Sequence, residues 1–182
     1  MVDHRKACNL GTPEFYREKW AVASRFDSAK VIYIKRMFQV GLPEELRADI
    51  TRLLFARHVS IDETAFAREL YATEEQLRVM QASGMYVGAH GDLHYWLNAV
   101  PTDVQRRDIA KSLEFLRRIG SPVDDYWVMC YPYGAWNESL IDILDENECA
   151  VGLTTEVGTA DLDTHPRLKF PRWDTNDLPK SV

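Results

Sequence analysis

The sequence predicts an α/β fold built from βα units around a parallel sheet or barrel. Two observations carry that expectation. Short apolar runs of strand length alternate with longer stretches of helical period, and most helical stretches open and close on recognisable end signals. The length of 182 residues suffices for one domain with a real core and is short for two.

Residues 1–28 read as an irregular lead-in: Met1 to about Lys19 is polar and shows no clear period. A single domain is expected over 29–182. From Ala29 to Phe38 apolar residues crowd without a clean period, so strand and helix both stay open. Leu42-Pro43 then starts a helix, since Pro suits the first helical position, and Leu46, Ile50, Leu53 and Leu54 form one apolar stripe. Ser60-Ile61-Asp62-Glu63 reads as a capping box leading to Phe66 and Leu70. Thr73-Glu74-Glu75-Gln76 is a second one, leading to Leu77 and Met80 and ending at Gly84.

After Gly84 the period changes, and Met85-Tyr86-Val87-Gly88-Ala89 reads as a short buried strand. Pro101-Thr102-Asp103-Val104-Gln105 opens another boxed helix with Ile109, Leu113, Leu116 and Ile119 inward, closed by Gly120 and Pro122. Tyr126–Tyr131 is the next strand, Asn137 caps a helix carrying Leu140, Ile141 and Leu144, and Ala150–Thr154 is a strand again.

A net charge of −6 with no Lys/Arg run argues against a nucleic-acid partner. No apolar run reaches membrane-span length, so no membrane span is expected. The three cysteines, Cys8, Cys130 and Cys149, follow no paired ligand spacing. That suits a reducing compartment, and the expected location is cytoplasmic unless a secretion signal was lost upstream.

Two polar clusters follow strands directly, where parallel sheets and barrels collect their sites. In His90-Gly91-Asp92-Leu93-His94, imidazoles four apart on a turn can ligate one metal ion, or they can simply hydrogen-bond within a loop. Gly91 stands where a zinc-protease helix needs its glutamate. In Cys130-Tyr131-Pro132-Tyr133-Gly134-Ala135-Trp136-Asn137, Pro and Gly set a tight turn and the aromatics suit a sugar ring. The other reading is an ordinary strand-to-helix turn capped by Asn137.

In this order and separation the two clusters resemble the polysaccharide deacetylase family, the nodulation-type or carbohydrate esterase family 4 domain. That family has a His-Ser/Thr-x-x-His motif after one strand and an Arg-x-Pro-Tyr/Phe-Gly turn after the next. The approach through Tyr71-Ala72-Thr73 and Gly84–His90, Thr154-Thr155, and the closing Pro171-Arg172-Trp173-Asp174 to Pro179 are similar to one bacterial branch. The resemblance covers roughly residues 30 to 179.

It implies a distorted (β/α) barrel of the polysaccharide deacetylase type and a divalent metal, zinc, held by His90 and His94. It further implies an oxyanion donor at the Tyr133 backbone N–H, with Tyr131, Pro132, Tyr133, Gly134 and Trp136 lining the substrate. Arg172 and Asp174 are candidate orienting groups, structural ion pairs being the other reading. The implied partner is an acetylated sugar or polysaccharide.

The chain departs from the family pattern in places. No Asp-Asp-Gly occurs, and Phe26-Asp27-Ser28 is the nearest approach to the family's first motif. Cys130 replaces the Arg that would orient the base, and His165 matches no family motif. The expectation is a chain that starts late, leaving the barrel incomplete at its first strand and impaired in catalysis; natural degeneracy is the other explanation. An open sheet edge would favour a homo-oligomer. The functions in view are deacetylation, a catalytically silent carbohydrate-binding relative, and a metal hydrolase acting on a non-sugar amide.

Overall fold

A computed structural model describes residues 4–178. Residues 1–3 of the expected lead-in and Pro179 of the closing segment lie outside the described residues. The chain divides into two compact units, Met1–Tyr71 and Ala72–Val182. Sequence reasoning instead placed a lead-in up to residue 28 and one domain beyond it.

The first unit is helical: α1 (His4–Ala7), α2 (Pro13–Trp20), α3 (Ala29–Arg36), a π-helical turn (Met37–Gly41), α4 (Glu44–His58) and α5 (Glu63–Leu70). Helix α2 corrects the expectation of an irregular lead-in. Thr12 caps it by accepting the Phe15 N–H at 3.2 Å, and Pro13 takes the first helical position. Those two signals outweigh the missing apolar period. Tyr16 and Trp20, one turn apart, stack at 5.1 Å.

The ambiguous run from Ala29 becomes helix α3, continued through Met37–Gly41. Pro43 sits one position earlier than expected, as the residue before α4. The capping box read at Ser60 does not form. Asp62 is the cap, accepting Ala65 N–H at 2.8 Å, while the Ser60 hydroxyl accepts Asp62 N–H.

The second unit carries α6 (Glu74–Ala82), α7 (Thr102–Ile119), β1 (Val128–Cys130), α8 (Glu138–Glu146) and β2 (Val151–Leu153). The capping box of α6 forms as read: Thr73 Oγ1 accepts Gln76 N–H at 3.2 Å, and Gln76 Oε1 accepts Thr73 N–H at 2.8 Å. On α7 the stripe Ile109, Leu113, Leu116 and Ile119 is buried as expected. The box read at its start does not form, because Gln105 turns inward and donates to the Leu97 carbonyl and to Asn137 Oδ1.

Strands β1 and β2 pair in parallel, Met129 opposite Gly152. Single bridges extend the pair on both sides, Ala89 to Met129 and Leu153 to Phe170. The segment expected as a strand over 85–89 therefore pairs only at Ala89. A fourth extended run near Phe170 went unread in the sequence. Among the described residues the sheet has two strands and closes into no barrel; a closed barrel of this kind needs about eight tilted strands. The fold is mixed α/β. Its core packs α7 and α8 against Trp127, Met129 and Tyr131, with the Trp127 indole N–H held by the Asn147 carbonyl at 2.7 Å.

Candidate functional site

The His90–His94 loop leaves the sheet where Ala89 is hydrogen-bonded on both sides: its N–H to the Val128 carbonyl at 2.8 Å, its carbonyl to Cys130 N–H at 2.9 Å. The loop makes no helical turn. Gly91 and His94 adopt positive φ, 77° and 53°, and those two reversals fold the rings onto each other. The ring centroids lie 4.8 Å apart, and His94 Nε2 lies 3.1 Å from His90 Nε2.

His90 Nδ1 sits 2.7 Å from the Cys130 carbonyl oxygen. A carbonyl only accepts, so Nδ1 carries the hydrogen and a neutral ring keeps its lone pair on Nε2, facing His94. Burial first, then the neighbouring His90 ring, hold the His94 imidazole below its usual pKa; the Asp108 carboxylate works weakly in the other direction. With His90 Nε2 as acceptor, a neutral His94 donates Nε2–H across this contact, and moving that hydrogen to Nδ1 would free Nε2 for a cation.

This donor set fits the first two positions of a zinc site. Two nitrogens bound tetrahedrally to one zinc ion lie about 3.3 Å apart, close to what the rings already show. A metal-binding histidine also characteristically gives its other N–H to a carbonyl or carboxylate, as His90 does. Among the described residues, no third His, Cys, Asp or Glu completes a ligand cluster.

The second cluster splits between core and surface. Tyr131 is 1% exposed and donates its hydroxyl to the Leu168 carbonyl at 2.7 Å. Pro132 is likewise fully buried. These two side chains, expected on the substrate face, are packing residues: they lie on the inner side of the strand end and leave nothing for a ligand to touch.

Tyr133 is different. Its φ of 59° turns it outward, and its ring meets His94 edge-on at 4.7 Å and Trp96 at 5.3 Å. The next two amides bond back to the Tyr131 and Pro132 carbonyls at 2.9 and 3.0 Å, whereas the Tyr133 N–H has no partner among the described residues. Gly134 is at φ 69°, and a Cβ there would overlap Thr155 Oγ1, so the turn requires glycine. Trp136 packs partly against the core, with Lys169 Nζ 4.2 Å over its ring.

Arg172 donates Nε–H to the Thr154 carbonyl at 2.7 Å and brings Nη1 within 3.8 Å of Cys130 Sγ. It thus reaches the strand end whose carbonyl holds His90. Asp174 is engaged in its own turn, Oδ1 accepting from Asn176 N–H and Nδ2. His165 closes a local turn with Asp161 N–H at 2.9 Å, apart from any ligand cluster. Asp27 lies in the first unit, paired with Lys35 at 2.6 Å.

Two site-supporting residues escaped sequence reasoning. Trp96 flanks Tyr133. Asp108, on α7, accepts the Asp92 and Leu93 N–H groups at 3.1 and 3.0 Å. A signal for Asp108 existed: Gln105, Asp108 and Ser112 fall on the face of α7 that carries the apolar stripe.

A sequence model described as polysaccharide deacetylase matches residues 25–152. YxkH of Bacillus subtilis, described as a candidate polysaccharide deacetylase, is 27% identical over 93 residues, which is 51% of this chain and 33% of that protein. Among solved structures, the Streptococcus pyogenes deacetylase PplD in complex with acetate matches at a TM-score of 0.50 and 24% identity, over 56% of this chain and 44% of that one. The BpsB deacetylase domain from Bordetella bronchiseptica matches at 0.49 and 20%, over 57% and 48%. The matches thus span between a third and a half of these proteins.

Proposed function

The chain belongs to the polysaccharide deacetylase family, and from that premise we propose that it removes acetyl groups from an amino sugar or polysaccharide. The site would be His90 and His94 with a divalent ion, zinc suiting imidazole donors. The observation that carries this reading is the convergence of the two Nε2 atoms at 3.1 Å, with His90 Nδ1 already committed to a carbonyl.

When bound, the ion would polarise the acetyl carbonyl and lower the pKa of a water. The chain's own residues would hold and orient the reacting groups. The Cys130 carbonyl fixes the His90 tautomer, and the unpartnered Tyr133 N–H offers a donor to the acetyl oxygen as it gains charge. The exposed Tyr133 ring beside Trp96 provides an apolar wall for a sugar face. Arg172, 3.8 Å from Cys130 Sγ, orients groups at the strand end. In this reading the parallel run from Ala89 through Phe170 represents successive staves of a distorted (β/α) barrel.

The test is zinc calorimetry alongside acetate release from acetylated chitooligosaccharides. Zinc should bind weakly, as suits an open site with two protein ligands, and His90→Ala or His94→Ala should abolish binding. No Asp-Asp-Gly is present to supply a base and a third ligand, so acetate release from these 182 residues alone should be low. Equal zinc affinity in the wild type and both variants would sink the assignment. The exposed Tyr133 ring, with the half-buried Trp96 beside it, would serve sugar binding without hydrolysis equally well; glycan binding that survives both histidine variants, with no acetate release under any metal, would favour that second reading.

A further inference from the structure

We propose that Asp108 is the positioning residue of the histidine pair, its carboxylate holding the intervening loop in the shape that makes the two rings converge. The proposal rests on the metal-site reading above for its purpose, though its geometry stands apart from it.

Asp108 is 3% exposed on the inward face of α7, between the buried residues Gln105, Ile109 and Ser112. A carboxylate placed in such a stripe loses its hydration and is costly unless its oxygens are bonded. Here each oxygen takes one backbone N–H of the loop, Oδ1 from Asp92 and Oδ2 from Leu93. Hydrogen bonds to an ionised acceptor are the stronger kind. They grip the loop at its midpoint, between the two imidazoles.

The loop needs that grip. His94 is a non-glycine residue at φ 53°, a conformation that persists only when its surroundings impose it. Gly91 closes the fit from the other side: a Cβ there would lie 2.8 Å from Asp108 Oδ1, so the carboxylate occupies the space the loop leaves free. Lys111, one turn further along α7, lies 3.7 Å from Asp92 and tethers the same loop from outside. Only an acceptor with two oxygens serves both N–H groups. Asparagine of the same shape would set an NH2 against one of them.

The experiment uses the full chain, isotopically labelled, with Asp108→Asn, Asp108→Ala and Gly91→Ala compared with the wild type. Three readouts are followed: amide exchange at Asp92 and Leu93, ring-to-ring proximity of His90 and His94, and zinc affinity. In Asp108→Asn one of the two amides should lose protection and the rings should separate while α7 stays protected. Zinc affinity should fall roughly 10- to 100-fold, the usual range for losing an outer-shell partner. Gly91→Ala should also separate the rings, through the strain of a side chain at φ 77° and through overlap with Asp108 Oδ1, and only the second part should ease in an Asp108→Ala background.

Unchanged exchange at both amides, or rings that stay together in Asp108→Ala, would overturn the proposal. So would affinity losses that merely track global unfolding. A wild type that takes no zinc would defeat the metal reading, while exchange and ring proximity would still decide the role of Asp108. Should Asp108→Asn fail to fold, Asp108→Ala carries the test through the same amide exchange and ring proximity.

Discussion

Replacing Tyr131 by Phe separates a core role from a substrate role at one atom. The ring is 1% exposed and its hydroxyl donates to the Leu168 carbonyl at 2.7 Å, with Leu168 itself 4% exposed. Burial pushes the phenol well above its ordinary pKa, so the hydroxyl remains a donor throughout the working pH range. Phe preserves the ring packing and opens almost no cavity. What is lost is one buried hydrogen bond, leaving a desolvated carbonyl without its partner, at a cost of about 1–3 kcal/mol. That is roughly a 5- to 150-fold drop in the folding equilibrium, and a melting shift of about 2–4 °C per kcal/mol for a chain of this size. Urea denaturation followed by tryptophan fluorescence reads it, since Trp127 is buried in the same core. Zinc and glycan affinity should not change. An unaltered denaturation midpoint, or glycan binding lost at full stability, would refute the reasoning and return Tyr131 to the substrate face.

Thr73→Ala should destabilise the second unit by about 1 kcal/mol through loss of the α6 capping box; a variant within error of wild type in urea would contradict this. Burial raises the Cys149 thiol from 9.0 to about 11. Folding therefore favours the protonated thiol: its contribution is whole below pH 9.0 and is lost as the pH climbs to about 11, by roughly 2–3 kcal/mol at most. Urea midpoints across that window should fall in the wild type and flatten in Cys149→Ala, and parallel slopes would exclude this thiol as the cause.

Much of the site was legible because its signals are local. The paired histidines and the Pro132–Gly134 turn are short-range patterns, and the structure sets the His94 ring against both the His90 and the Tyr133 rings. The capping box at Thr73 and the inward stripe of α7 are of the same kind, since neighbours within one helix turn decide them. The box read at Ser60 failed because the helix starts two residues later, with Asp62 capping Ala65 N–H and the Ser60 hydroxyl turned to Asp62 N–H. The box read at Thr102 failed because Gln105 finds partners outside its own helix, at Leu97 and Asn137, 8 and 32 residues away.

By itself, then, the sequence determined the alternation of helix and strand, the positions of the histidines and the turn that follows the next strand, all set by propensity and spacing over a few residues. Only the tertiary structure decided which side of each strand end faces inward. It buried Tyr131 and exposed Tyr133, made α3 helical, and left two paired strands where a barrel was expected. It also brought Asp108 beneath the loop and Arg172 to Cys130, across 15 and 42 residues of chain. The physical reason is that burial and buried hydrogen bonds depend on partners far along the chain, and no local period records which partner a side chain will meet.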